Sequence, residues 1–297
     1  MIRILLQTTI PAVDDDWNIR RYSLLRGYLA SLEDERDEPL FAVTARDREP
    51  DARGDDPVLS ALADSDFDEI WLFAADTGNG LSERDCAGIT AFRNRGRGIL
   101  ATRDHQDAGS SICSLGGVGA AHFFHTRNQD PDVSRRCVDD KETTAISWPN
   151  YHSGRNGDYQ QIIHVEPVHE LLRLSGPKRK LIEFFPAHPH EGGVGAPEGE
   201  KDVRVIAMGR STMTNRFFNL IVAFEGGQDR KGNRLGRALA HSSFHHFADY
   251  NWDTDAGCPS FVAEAPGDAM KQNSRALADI QAYVRNAALW LAGHRSR

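Results

Sequence analysis

The chain has 297 residues, 40% hydrophobic and 26% charged, a composition that excludes disordered and collagen-like classes and allows a substantial buried core. A formal charge of −8 argues against a non-specific binder of nucleic acid or anionic membrane, which needs clustered excess Lys and Arg. No window approaches ~18 uninterrupted apolar residues, so no membrane span is expected. The four cysteines, at 86, 113, 137 and 258, show no C-x-x-C spacing and predict neither a zinc ribbon nor a disulfide framework. A cytoplasmic location is the expectation, and the N-terminal MIRILLQTTI is expected to be a first strand rather than a signal peptide.

Strand and helix signals alternate through the first hundred residues. The run at 2–9 predicts a strand, and Trp17, Leu24, Leu25, Tyr28, Leu29 and Leu32 fall near one helical face over 17–32. Strands are predicted at 40–46 and 69–75, with a short helical piece around 58–63 between them. The second of these strands is nearly all apolar, as a strand buried on both faces should be. Ser82 with Asp85 three residues on has the form of a capping box, leading a helix whose inner face is Cys86, Ile89 and Phe92. GILAT at 98–102 is the fourth strand. This rhythm predicts a mostly parallel, doubly wound sheet with helices on both faces.

Between about 110 and 180 the periodicity weakens, and an irregular insertion is expected, with helix only near 109–120 and 166–174. Strand signals return at 203–210, 217–225 and 237–243, with a Gly-rich hairpin or loop at 226–236. Leu277, Ile280, Val284, Ala288 and Leu291 mark a final helix that packs back on the sheet. With no repeat and no clean linker, one α/β domain over 1–297 is expected. The basic runs PKRK (177–180) and HRSR (294–297) read as solvated face and tail.

Ligands of open parallel sheets bind beyond the carboxyl ends of strands. Thr9 follows the first strand. ADTGNG, with Asp76, Gly78 and Asn79, follows the third, either as a cradle for an anion or as a plain turn. Asp104, His105 and Gln106 follow the fourth, where a carboxylate and an imidazole can serve as general acid, base or metal ligand. In AHPHEGG, His188 and His190 at i, i+2 beside Glu191 can face one metal from extended chain, with a stiff surface loop as the alternative. AHSSFHHFADYNWD adds His241, His245 and His246 with Asp249 and Asp253. Half of the twelve histidines fall in these three clusters. Cys113 is a displaced nucleophile or a small core residue.

FDEIWLFAADTGNG, the segment ending in GILATRDHQD, and the later GRALAHSSFHHF together resemble the class I glutamine amidotransferase-like superfamily, and within it the ThuA-like group associated with trehalose utilisation. The resemblance implies a flavodoxin-like fold and a link to carbohydrate metabolism. Where that superfamily carries G-x-C-x-G-H-Q, this chain reads ATRDHQ: His105 and Gln106 match, and Thr102 stands in place of the cysteine, while other registers put Arg103 or Asp104 at the elbow. His188-Pro189-His190-Glu191 echoes the superfamily's His-Pro-Glu. The absence of the thiolate excludes glutaminase chemistry.

The resulting expectation is a hydrolase or lyase acting on a small polar, carbohydrate-like substrate. Asp104, His105, His188, His190, Glu191, His241 and His245 would be its catalytic groups, and Thr9, Asp76, Gly78, Asn79, Thr102 and Gln106 would bind substrate. Whether a cofactor is needed is left open; a divalent metal (zinc, manganese or iron) is one option, with His105, His188 and His190 as its candidate ligands. A non-catalytic ligand-binding or scaffold module on the same fold is the alternative, and a homo-oligomer is left open.

Overall fold

The computed structural model describes residues 1–293 except 137, 140–142, 144, 177–179, 201, 229–231 and 233. Cys137, most of the basic run at 177–180, part of the 226–236 connector and the terminal HRSR lie outside the described residues.

Eight strands form one sheet: β1 (Ile2–Thr8), β2 (Phe41–Arg46), β3 (Glu69–Phe73), β4 (Gly98–Thr102), β5 (Ile163–His164), β6 (Val203–Arg210), β7 (Phe217–Phe224) and β8 (Ala238–His241), in the order β2-β1-β3-β4-β8-β7-β6-β5. The first five in that order run parallel, and β7, β6 and β5 continue antiparallel. Strand alternation sorts the apolar side chains into two cores. Ile4 and Leu6 of β1, Trp71 and Phe73 of β3 and Leu100 of β4 face one core, shared with α1 (Ser23–Ala30) and α3 (Ser274–Leu291). Leu5, Ile70, Leu72, Ile99 and Ala101 face the other, shared with α2 (Glu83–Asn94) and with Leu59 and Leu62. Helices on both faces of a mostly parallel sheet make the doubly wound, flavodoxin-like arrangement that the alternation predicts.

The expected 17–32 helix is broken into a 3-10 turn at Ile19–Tyr22 and α1. The break is set from afar: Asp249 accepts hydrogen bonds from Ser23 N, Ser23 Oγ and Leu24 N, satisfying the orphan donors of α1's first turn. The helices expected near 109–120 and 166–174 are only 3-10 turns, at Ser110–Ser114, Val118–Ala121 and Glu170–Leu172. Gly109 (φ 89°) and Gly117 (φ 73°) interrupt the first of these segments with left-handed or inverse backbone. Within the irregular stretch, Tyr159–Gln161 pairs with Phe184–Pro186, which fixes the strand leading into His188.

The capping box at α2 is present as read: Ser82 Oγ accepts from Asp85 N, and Asp85 Oδ2 accepts from Ser82 N. The fully buried Asp85 does more, receiving Arg48 through two guanidinium bonds (2.8 and 3.1 Å), Asp56 N and Ser60 Oγ. Asp85→Ala therefore strands a buried arginine and is expected to cost ~3–5 kcal/mol, against ~1 kcal/mol for Ser82→Ala. Urea unfolding of the two variants measures the difference; equal losses would mean that the Arg48 pair contributes nothing beyond the cap.

Candidate active site

β4 and β8 are parallel neighbours with Thr102 opposite His241, so the segments that leave their carboxyl ends run side by side. Phe244 N donates to Arg103 O (2.9 Å) and locks the two exits together. A third segment, 187–192, lies across them: Gly192 N donates to Ser242 O, and a Cβ at Gly192 would sit 2.2 Å from Arg103 Nε and 2.4 Å from Asp104 O. Only glycine permits that approach. His188 is held by its own backbone, which donates to Ser153 Oγ (2.9 Å) while its carbonyl accepts from Ser153 N.

These contacts bring Asp104, His188 and His245 to one point, with a ligating atom of each within 4.8 Å of the others and all three side chains buried. His188 Nε2 lies 3.1 Å from Asp104 Oδ1, and His245 Nε2 lies 3.8 Å from Asp104 Oδ2. The two imidazoles are stacked, with centroids 3.6 Å apart and planes 12° from parallel. Each uses its other nitrogen on an amide: His188 Nδ1 meets Asn156 Oδ1 (3.0 Å) and His245 Nδ1 meets Asn251 Oδ1 (3.1 Å). Asn251 Nδ2 in turn donates to Asn156 Oδ1 and to Ala187 O, both 2.9 Å. Since Asn251 Nδ2 faces a backbone carbonyl, its Oδ1 is the atom left for His245, so Nδ1 of that ring carries the proton. Burial lowers the affinity of both rings for a second proton, pushing their pKa values well below the usual histidine range.

A cavity of about 290 Å³ opens on this cluster and is also lined by His105, His190, Trp17, Glu264, Thr143 and Phe261. His105 Nε2 is 3.6 Å from Asp104 Oδ2, and burial holds its pKa below the ordinary value. His190 meets His105 edge to face at 5.4 Å, with Nε2 3.2 Å from Thr143 Oγ1 and 3.6 Å from Glu264 Oε1. Among the described residues, Asp104 Oδ1, His105 Nδ1 and His188 Nε2 are buried without a hydrogen-bond partner. Three such atoms in one cavity are unusual, because an unsatisfied buried polar group costs stability.

Of the three registers open at the elbow, only the one with Asp104 puts a side chain in the cavity. Thr102 is fully buried, its hydroxyl donating to Leu72 O. Arg103 is fully buried too, its guanidinium 4.1 Å over the Phe124 ring and bonded to Asp104 O and Gln106 O. Burial brings its pKa down to about 9. None of the three has positive φ; the left-handed residue of the turn is Gln106 (φ 53°).

Several expected site residues lie elsewhere. Glu191 is a fully buried hub whose oxygens accept from Ser153 Oγ, Gln160 Nε2, His246 Nε2 and Ser242 Oγ at 2.7–3.1 Å, leaving it occupied with holding segments together. His241 points from β8 into the α3 core, with Nε2 2.7 Å from Tyr283 Oη, because strand alternation turns it away from the cavity. Asp76 ties its loop to Ser111 through Ser111 N and Oγ and also accepts from Gly78 N, so ADTGNG is a structural turn. Thr9 Oγ1 accepts from Ala75 N in the same junction, Asn79 is exposed, and Gln106 lies in the Arg103 clasp. None of these lines the cavity. Cys113 sits in the Ser110–Ser114 turn, outside the cavity, and burial pushes its thiol up to about 11. Asn156, Asn251, Trp17, Thr143, Phe261 and Glu264 had no signal in isolation: each becomes a site residue only through a partner distant in sequence.

No family model matches the chain, and no curated protein matches it in sequence. Among solved structures, a protein from Parabacteroides merdae described as ThuA-like has a TM-score of 0.50 and 14% identity, with 100% of this chain and 92% of that one covered. The glutaminase domain of Trypanosoma brucei CTPS, with bound acivicin, has a TM-score of 0.46 and 13% identity, covering 100% of this chain and 96% of that one. At such identity the likeness is one of fold: this chain has a flavodoxin-like, doubly wound architecture that it shares with a protein described as ThuA-like.

Proposed function

We propose that the chain is an enzyme that cleaves a small polar, carbohydrate-like substrate by hydrolysis or elimination in the Asp104–His188–His245 cavity, and that it is not a glutaminase. The observation that carries this reading is the set of three unpartnered buried polar atoms, Asp104 Oδ1, His105 Nδ1 and His188 Nε2, around one cavity. A scaffold module has no reason to retain that cost, whereas an active site uses such atoms on substrate. The volume of about 290 Å³ suits a small molecule.

His105 beside the carboxylate and His190 against His105 supply the proton-transfer groups, with Glu264 and Thr143 orienting His190. Trp17 and Phe261 give apolar walls against which a sugar face can rest. The elbow position that a glutaminase gives to its nucleophile holds no thiol, so the chemistry falls to these acids and bases. The carbohydrate class rests on the ThuA-like resemblance of the sequence.

A panel of glycosides and related small polar esters, assayed with the full chain, tests the reading. Turnover is expected with at least one substrate class and none with glutamine, and His105→Ala is expected to lower kcat about 10²–10⁴-fold. No turnover across the panel would return the chain to the scaffold alternative, and turnover unchanged by His105→Ala and by Asp104→Asn would place the chemistry outside this cavity.

Thiol alkylation separates out Cys113. With its thiol raised to about 11, labelling at pH 8 should be slow, accelerate as pH rises toward that value, and leave turnover intact. Rapid labelling at pH 8 with proportional loss of activity would instead make Cys113 the nucleophile.

A further inference from the structure

The Asp104–His188–His245 contact has a chemical inconsistency if nothing lies within it. His188 and His245 each give Nδ1–H to an amide oxygen, of Asn156 and Asn251, so each neutral ring turns a bare Nε2 lone pair toward Asp104. A carboxylate is likewise an acceptor only. Two acceptors, His188 Nε2 and Asp104 Oδ1, thus face each other at 3.1 Å, and neither has hydrogen-bond geometry to the other or to any other described residue. A proton shared between them would need that geometry.

We infer that the three side chains form a mononuclear divalent-metal site, with His188 Nε2, His245 Nε2 and an oxygen of Asp104 as ligands. Bonds of ~2.0–2.1 Å at tetrahedral angles put neighbouring ligand atoms ~3.3 Å apart; here His188 Nε2 lies 3.1 Å from Asp104 Oδ1, His245 Nε2 lies 3.8 Å from Asp104 Oδ2, and one ligand atom from each residue lies within 4.8 Å of the others. The amides complete the pattern expected around such a centre: a ligating imidazole donates its other N–H to a fixed acceptor, which sets tautomer and ring orientation. Here both acceptors are themselves pinned, Asn156 Oδ1 by Asn251 Nδ2, and Asn251 by Ala187 O.

Two imidazoles and one carboxylate select a borderline transition ion of the zinc, iron or manganese kind over magnesium or calcium, which take oxygen ligands. Three protein ligands leave a position for water or substrate on the cavity side, beside His105 and His190. The ligand set differs from the one expected from sequence. His105 and His190 do not belong to it, and Asp104 and His245 take their place; His190 Nε2 meets Thr143 Oγ1 and Glu264 Oε1 instead. A bound ion would lower the pKa of its water and so deepen the proposed hydrolytic reading, on which the catalytic role of the site rests; the binding itself does not depend on that reading.

The test is metal binding by the full chain, independent of activity. Protein freed of metal by a chelator is titrated with Zn(II) in competition with a chromophoric chelator, and separately with Co(II), followed by visible absorption. One equivalent of Zn(II) is expected, with an intense low-coordinate Co(II) spectrum that Zn(II) displaces. His245→Gln and Asp104→Asn should abolish stoichiometric binding, Asn251→Ala should weaken it about 10–100-fold, and His125→Ala, outside the cavity, should leave it unchanged. No stoichiometric binding by the wild-type chain, or binding that survives His245→Gln and Asp104→Asn, overturns the inference. The wild-type Co(II) spectrum decides even if a variant fails to fold. Binding without turnover on any substrate would contradict the enzyme reading alone, and turnover by chelated, metal-free protein would contradict the role of the metal alone.

Discussion

The pairing of β4 with β8, in a register that puts Thr102 beside His241, is the constraint on which the site depends. Two strands separated by more than a hundred residues end level, and the Phe244 N to Arg103 O bond keeps their exits parallel for the few residues that matter. Asp104 and His245 then project from adjacent exits, and the 187–192 segment can close over them because Gly192 tolerates the Arg103 guanidinium and the Asp104 carbonyl against its backbone. A slip of one residue in this pair would turn every side chain of the shifted strand to the opposite face, misplacing its core residues as well as dispersing the site.

The buried polar groups divide into two kinds. Glu191 and Asp85 have their oxygens satisfied by donors from several segments, and they hold loops to the scaffold. Asp104 is different: it is buried too, yet among the described residues one of its oxygens meets only another acceptor. Satisfied carboxylates stabilise a fold and are spent in doing so; an unsatisfied one among neutral imidazoles is available for a ligand. That contrast separates Asp104 and His188 from Glu191, which shares the AHPHEGG segment with His188.

Much of the architecture was legible because period and composition act locally. GILAT ends at Thr102 as read, Ser82 and Asp85 form the cap, and the apolar positions of the last helix face the core. Of the site, the strand-end rule pointed to Asp104 and His105, and histidine density pointed to His188, His190 and His245, all five of which line the cavity. The rule also pointed to Thr9, Asp76 and Gly78, which lie outside the cavity in a junction that spends its polar groups on itself. Histidine density likewise pointed to His241, which faces the α3 core, because clustering in sequence says nothing about which face of a strand a side chain takes. The amides Asn156 and Asn251 were invisible for a further reason: their role is a relation between residues 95 positions apart.

The most direct measurement is an anomalous difference map at the zinc edge from crystals of the full chain grown with Zn(II). The account predicts one dominant peak between Asp104, His188 and His245, about 2.0–2.1 Å from each ligating atom, with the Nδ1 contacts to Asn156 and Asn251 retained. A peak seated instead on His105 and His190, or no peak with the three side chains in the same arrangement, would contradict it.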